Sequence, residues 1–255
     1  MKNYVLITGA TSGIGYELML LFAKNKKNLL LVSRNRKKLL SIKKDLENRY
    51  KISVLIKDVD LSLPQSSLDV IKFIKDNKIR IHILVNNAGF GLGGEFEISD
   101  IKREEEMINL NILSLTKLTY YILPQMKSGD KILNLASVAS FLPGPYMSVY
   151  FATKAYVLSF SEALYFELRK KGIQVTALCP GSTKTEFASV AKLKNVSDFN
   201  NRSMSAESVA LIGYEGLMKG KRVVITGLTN RVSVFILKFI PNSLIGKIIE
   251  KINNN

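Results

Sequence analysis

Thr8-Gly9-Ala10-Thr11-Ser12-Gly13-Ile14-Gly15 places three glycines in eight residues between two segments of opposite character. Tyr4-Val5-Leu6-Ile7 before it is a short apolar run, and Tyr16-Glu17-Leu18-Met19-Leu20-Leu21-Phe22 after it is a good helix. A strand, a glycine turn and a helix in that order let the backbone approach a pyrophosphate. The free N–H groups and positive dipole end of the helix then face the anion. Tight turns use glycines routinely, so the flanking strand and helix carry the reading. The spacing is Gly-x-x-x-Gly-x-Gly, not the commoner Gly-x-Gly-x-x-Gly. On this reading Gly9, Thr11, Ser12, Gly13, Ile14 and Gly15 form a dinucleotide-binding turn.

Beyond that turn, apolar runs and amphipathic stretches alternate along all 255 residues, the pattern of βαβ units wound into a parallel sheet. Strands are expected near Tyr4 to Thr8, Asn28 to Ser33, Ser53 to Lys57, Ile81 to Val85, Lys131 to Ala136, Ile173 to Leu178 and Arg222 to Thr226. Runs such as Leu29-Leu30-Leu31-Val32 fit strands covered by helices on both faces. The fold class expected is α/β: a single-domain Rossmann fold with a doubly wound, seven-stranded parallel sheet. Residues 1–230 form the nucleotide-binding domain, with a lid loop over 181–205, where no strong period is seen. Residues 231–255 form an amphipathic, basic extension of the same domain.

Composition narrows the class further. With 47% apolar and 23% charged residues the chain has the usual globular mix, which excludes disorder and collagen-like repeats. One cysteine, Cys179, allows no intrachain disulfide, and no signal-peptide pattern opens the chain, so a cytoplasmic location is expected. No apolar run reaches the ~18 residues of a membrane span. The net charge of +16 is localised: Lys24 to Lys51 contributes +9 and Lys219 to Asn255 contributes +6. Its favoured reading is lysine decoration of solvated helix faces. No zinc-ligand, aromatic RNA-binding or basic-zipper pattern accompanies the charge, so no nucleic-acid partner is expected.

The second strand ends in Ser33-Arg34, where an NAD-binding fold places an acid on the ribose 2′-hydroxyl. No acid is present, and a guanidinium beside a hydroxyl suits a 2′-phosphate, so NADP(H) is favoured over NAD(H). The bland alternative is an Arg34 that merely faces solvent.

Tyr150-Phe151-Ala152-Thr153-Lys154 sets a phenol and an ammonium four apart on one helix face. The cation is expected to stabilise the phenolate and lower its pKa, making an acid/base pair. Ser137 follows the fifth strand at the carboxyl edge, where open α/β sheets bind ligands. A lone Tyr-x-x-x-Lys is common by chance and more often a surface pair, but here it accompanies the other motifs.

Together these segments resemble the short-chain dehydrogenase/reductases, specifically the single-domain branch of about this length and an uncharacterised bacterial subgroup within it. Thr8 to Gly15 matches the glycine motif, Asn86-Asn87-Ala88-Gly89 the fourth-strand motif, and Asn111, Ser137, Tyr150 and Lys154 the catalytic positions. Pro180, Gly181, Thr183 and Thr185 match the segment that contacts nicotinamide and its phosphates. The resemblance covers nearly the whole chain in order. It implies hydride transfer between nicotinamide C4 and a carbonyl or alcohol substrate, with Tyr150 as general acid/base and Ser137 holding the substrate oxygen. Lys154 would bind the ribose and tune Tyr150, and Asn111 would position a relay water. Asn87, Ala88 and Gly89 would line the cofactor. Asp60-Leu61 would contact adenine, with Asp58-Val59 as a second possible register.

The expected pocket walls, Phe141 to Met147 with Phe90 and Phe187, are mostly apolar, pointing to an apolar carbonyl compound. A membrane-surface reductase of lipid or acyl-chain carbonyls and a non-catalytic dinucleotide-binding protein are the alternatives. His82 is expected to be structural, Cys179 to pack in the core, and Glu104-Glu105-Glu106 to face solvent. One His and one Cys give no metal-ligand spacing, so no metal site is expected. The helix Ser148 to Lys171 carries apolar residues on several sides, which suggests a homodimer or homotetramer. The tail, apolar over Val232 to Ile240 and striped over Leu244 to Ile252, suits a flap over an apolar pocket or partner. Peripheral membrane contact is the other reading.

Overall fold

The computed structural model describes residues 2–191 and 203–254, the side chains of 252–254 excepted. Six strands carry the first part of the chain: β1 (Asn3–Thr8), β2 (Asn28–Ser33), β3 (Val54–Asp58), β4 (Arg80–Asn86), β5 (Lys131–Leu135) and β6 (Gln174–Cys179). A two-residue ladder joins β7 (Thr183–Lys184) to β8 (Met204–Ser205), and β9 (Val223–Ile225) completes the main sheet. That sheet has seven parallel strands in the order β3-β2-β1-β4-β5-β6-β9. Each expected strand is present within two residues at either end. β5 stops at Leu135 because Ala136 turns, its N–H donating to Leu178 O at 2.8 Å as the chain enters a 3₁₀ turn at Val138–Phe141.

Alternate side chains of each strand feed two cores, as the period of 2 requires. Val5, Ile7, Leu29, Leu31 and Val85 pack with α1 (Gly13–Lys24), α2 (Arg36–Tyr50) and the helix Ala206–Met218. Tyr4, Leu6, Leu30, Val32 and Leu84 pack on the opposite face with α3 (Ser66–Asp76), α5 (Leu115–Ile122) and α6 (Ser148–Leu168). Burial on both faces is why the strands read as unbroken apolar runs. α4 (Ile101–Ile108) runs into a π-helical turn at Asn109–Ser114 before α5.

The sheet order reverses direction between β1 and β4: the chain first builds outward through β2 and β3, then returns to the far side of β1. The carboxyl ends of β1 and β4 therefore part, opening the crevice in which such sheets bind ligands. The glycine turn and Asn86-Asn87-Ala88-Gly89 both lie there. The expected lid over 181–205 falls partly outside the described residues. Its described part holds β7, β8 and the short helix Phe187–Val190. The tail forms two helices, Leu228–Leu237 and Asn242–Asn254, so the first begins before the expected start of the extension at 231.

Candidate active site

A cleft of about 1030 Å³ runs along the carboxyl edge of the sheet. One end is lined by Gly9, Thr11, Ser12, Gly13, Ile14, Ser33, Arg34, Asp60, Leu61, Asn87, Ala88 and Gly89. Ser137, Tyr150, Lys154, Pro180, Gly181, Thr183 and Thr185 line the middle. Phe90, Leu142, Tyr146, Met147, Phe187, Val190 and Ile249 line the far end. Two expected residues stand behind the wall and do not line the cleft: Gly15 and Asn111.

The glycine end is built for close approach. Gly9 and Gly13 have φ of +66° and +55°, where a side chain is strained. Gly15 is needed for packing: a Cβ there would lie 2.3 Å from Asn87 Nδ2 and 2.4 Å from Gly9 O. Asn87 Nδ2 in turn donates to Thr8 O and Gly9 O at 2.9 and 3.2 Å. Thr8 Oγ1 accepts from the N–H groups of Asn87 and Ala88, each at 3.0 Å. Ser12, the N-cap of α1, makes no side-chain cap bond, and no acid occupies the first turn. The helix end thus keeps its donors and dipole for an anion, so these residues fit a pyrophosphate.

Thr11 Oγ1 and Ser33 Oγ are 2.9 Å apart, joining the glycine turn to the end of β2. Arg34 is largely exposed and pairs with Asp60 at 3.3 Å. Burial raises the Asp60 pKa, but hydrogen bonds from Ser62 and the Arg34 cation outweigh it and hold the carboxyl below its ordinary range. Asp60 and Leu61 line the cleft, whereas Asp58 ends β3 in a pair with Arg36 at 3.0 Å. Of the two acids, only Asp60 lines the cleft.

Ser137, Tyr150 and Lys154 meet in the middle of the cleft. Lys154 Nζ donates to Leu135 O at 2.8 Å and lies 5.8 Å from the centre of the Tyr150 ring. Burial lowers its pKa to about 8. The Tyr150 phenol is pushed up to about 12 by burial, which a hydrogen bond with Ser137 only partly offsets. This corrects the expected lowering: desolvation exceeds any help from the cation, whose ammonium is held by the Leu135 carbonyl. Tyr150 is therefore a protonated donor across the neutral range. Ser137 also caps the 3₁₀ turn, accepting from Ala139 N–H at 3.1 Å, while Ser140 Oγ donates to Lys154 O at 2.7 Å and ties that turn to α6.

Asn111 acts from the π-helical turn. Its Oδ1 accepts from Phe90 N–H at 3.2 Å, and its Nδ2 donates to Phe90 O at 2.9 Å and Thr153 Oγ1 at 3.0 Å. It clamps the loop after β4 to α6. A Cβ on Gly89 would stand 2.8 Å from Asn111 Oδ1 and 3.5 Å from Lys154 Nζ, so glycine keeps that space open.

The far end differs from expectation in part. Phe141 packs into a core cluster with Leu115, Ala136 and Val157, and Gly144 lies against the Phe151 ring. Tyr146 adopts φ +61°, a strained conformation typical of functional sites. The acidic run is also corrected: Glu104 is buried, because 104, 107 and 111 share the inner face of their helix, and burial raises its pKa. Arg103 and Glu106 pair at the cleft wall, with the guanidinium 4.9 Å from the Phe90 ring centre. Sequence gave no signal for that pair, since an i,i+3 charge pair reads equally as a solvated face. His82 Nδ1 bonds Tyr4 O at 2.9 Å, and Cys179 is buried in the core, burial pushing its thiol up to about 12. Neither residue lines the cleft.

Fold and cleft define a Rossmann-type α/β protein with a serine, a tyrosine and a lysine gathered at the carboxyl edge of its sheet. A family model for short chain dehydrogenases matches residues 3–195. Sulfoacetaldehyde reductase 2 of Chromohalobacter salexigens is 35% identical over 195 residues, covering 74% of this chain and 76% of the relative. An NADP-dependent 3-hydroxy acid dehydrogenase of Schizosaccharomyces pombe is 34% identical over 235 residues, covering 87% and 89%. A short-chain dehydrogenase from Sphingobium yanoikuyae, solved in complex with NADPH, superposes with a TM-score of 0.83 at 30% identity, covering 96% and 94%. The chain belongs to the short-chain dehydrogenase family and is an oxidoreductase.

Proposed function

We propose that the protein is an NADP(H)-dependent oxidoreductase that interconverts a carbonyl and an alcohol, with Tyr150 as the general acid/base. The observation that carries this is the meeting of Ser137, Tyr150 and Lys154 where the phosphate-binding end of the cleft joins its apolar end. When bound, the nicotinamide cofactor supplies or accepts the hydride. Gly9 to Ile14 and the start of α1 hold its phosphates, and Lys154 holds its ribose. In reduction, Ser137 orients the substrate oxygen and the Tyr150 phenol gives it a proton. Phe90, Leu142, Met147 and Phe187 exclude water and favour an apolar substrate.

Three observations support NADP(H): β2 ends without an acid, Ser33 and Arg34 line the cleft, and two of the relatives described carry NADP or NADPH in their names. Self-association is part of the same proposal. Ala152, Ala155, Tyr156, Ala163 and Phe166 form an exposed, mostly apolar stripe on α6, beside Tyr120 and Tyr121 of α5, and a two-fold pairing covers both. The test of function is turnover of a carbonyl panel followed by NADPH absorbance. Tyr150→Phe is expected to lower kcat by at least about a hundredfold while NADPH affinity persists. NADPH binding without turnover of any carbonyl or alcohol would instead mark a dinucleotide-binding protein.

A further inference from the structure

The two tail helices divide their apolar residues between two directions. Val234 and Ile245 are buried, and Ile249 reaches the cleft wall, so one side serves the protein. Val232, Phe235, Ile236, Phe239, Leu244 and Ile248 remain exposed, Phe235 at 62% and Phe239 at 75%. The two phenylalanine rings lie 5.4 Å apart. Val232, Phe235 and Ile236 share one face of the helix Leu228–Leu237, and Phe239 follows in the turn just after it. Six large apolar side chains exposed within seventeen residues exceed the isolated instances usual on a monomer surface.

Charge selects the occupant. Between Leu228 and Asn254 four basic residues, Arg231, Lys238, Lys247 and Lys251, face one acid, Glu250. Lys238, Lys247 and Lys251 are exposed and pair with no carboxylate of the described residues. A second copy of the chain laid on this surface would bring like charge against like. A bilayer bearing anionic lipid accepts both features: apolar side chains enter the headgroup and acyl boundary, and ammonium groups meet phosphates. No described helix is long and apolar enough to cross a membrane, so the contact is peripheral.

We infer that the helices Leu228–Leu237 and Asn242–Asn254 form a docking surface for an anionic lipid bilayer. The cleft wall at Ile249 belongs to the same tail, so docking sets the apolar end of the cleft beside the membrane. The inference concerns a surface and holds whichever substrate the cleft takes.

Vesicle flotation of the full chain tests it, using phosphatidylcholine alone and an equal mixture of phosphatidylcholine and phosphatidylglycerol. The chain is expected to float with the mixed vesicles, to bind neutral ones weakly, and to detach as salt rises. The double variant Phe235→Ser/Phe239→Ser is expected to bind at least about tenfold more weakly, with NADPH affinity unchanged. Lys238→Gln/Lys247→Gln/Lys251→Gln removes charge without touching an apolar contact, and is expected to weaken binding to mixed vesicles alone. No flotation of the native chain, or binding by both variants as tight as the native chain's, overturns the proposal. A native mass by light scattering that falls by half in Phe235→Ser/Phe239→Ser also overturns it, assigning the face to a second copy.

Discussion

Gly15→Ala tests whether the glycine turn and the end of β4 are locked by packing. The backbone of Gly15 is ordinary helix, so the substitution meets no conformational penalty, and helix propensity alone favours alanine by up to ~1 kcal/mol. The added Cβ, however, falls 2.3 Å from Asn87 Nδ2 and 2.4 Å from Gly9 O. The carbonyl belongs to a turn fixed by its neighbours, so the Asn87 side chain is the group that moves. Its two hydrogen bonds, to Thr8 O and Gly9 O, are lost at about 1 kcal/mol each. Overpacking adds about 1–3 kcal/mol. After the propensity gain the net loss is about 2–4 kcal/mol, equivalent to a fall in Tm of roughly 5–15 °C for a chain of this size. Thermal unfolding of Gly15→Ala followed by circular dichroism measures it, and NADPH affinity is expected to fall in parallel as the turn shifts. A variant with native Tm and affinity would refute the packing argument.

Lys154 is charged below its pKa of about 8 and neutral above it, so its contribution to cofactor binding is present at neutral pH and lost as pH rises through about 8. NADPH affinity measured by fluorescence should weaken over that interval, and Lys154→Arg, which keeps its charge, should shift the decline to higher pH. Arg34→Asp places a carboxylate where a 2′-phosphate would lie and breaks the pair with Asp60; dissociation constants should show a narrowed or reversed preference for NADPH over NADH. Equal constants in the native protein would remove the basis for assigning NADP(H). Light scattering at micromolar concentration should give at least a dimer for the native chain and a smaller mass for Tyr156→Lys/Phe166→Lys, which charges the α6 stripe.

Local pattern carried most of the fold. The glycine turn, the doubly buried strands and the Tyr150–Lys154 spacing each fit within a single element, where side-chain period and backbone chemistry act directly. The features that escaped depend on faces meeting across the chain. Nothing near Glu104 in sequence shows that its side of α4 packs inward with Met107 and Asn111. Gly15 belongs to the glycine motif, yet its role is set by Asn87, seventy-two positions away. The Tyr150 pKa turned on burial in the finished cleft, which outweighs a cation four residues along. Phe141 left the expected pocket wall for a core cluster, since an apolar residue between elements does not reveal which space it fills.

The reversal of strand order at β1 and β4 also bears on how the protein is made. β1 pairs with β4 through Asn3↔Arg80, and the cleft draws residues from Gly9 to Ile249. No contiguous fragment contains both the phosphate turn and the Tyr150 helix without the four strands β2 to β5 that lie between them. Such long-range parallel pairings form slowly, because loop closure precedes the contacts that reward it. The ligand crevice is therefore among the last features to exist on a newly synthesised chain, and a molecule that binds there selects chains that have finished folding.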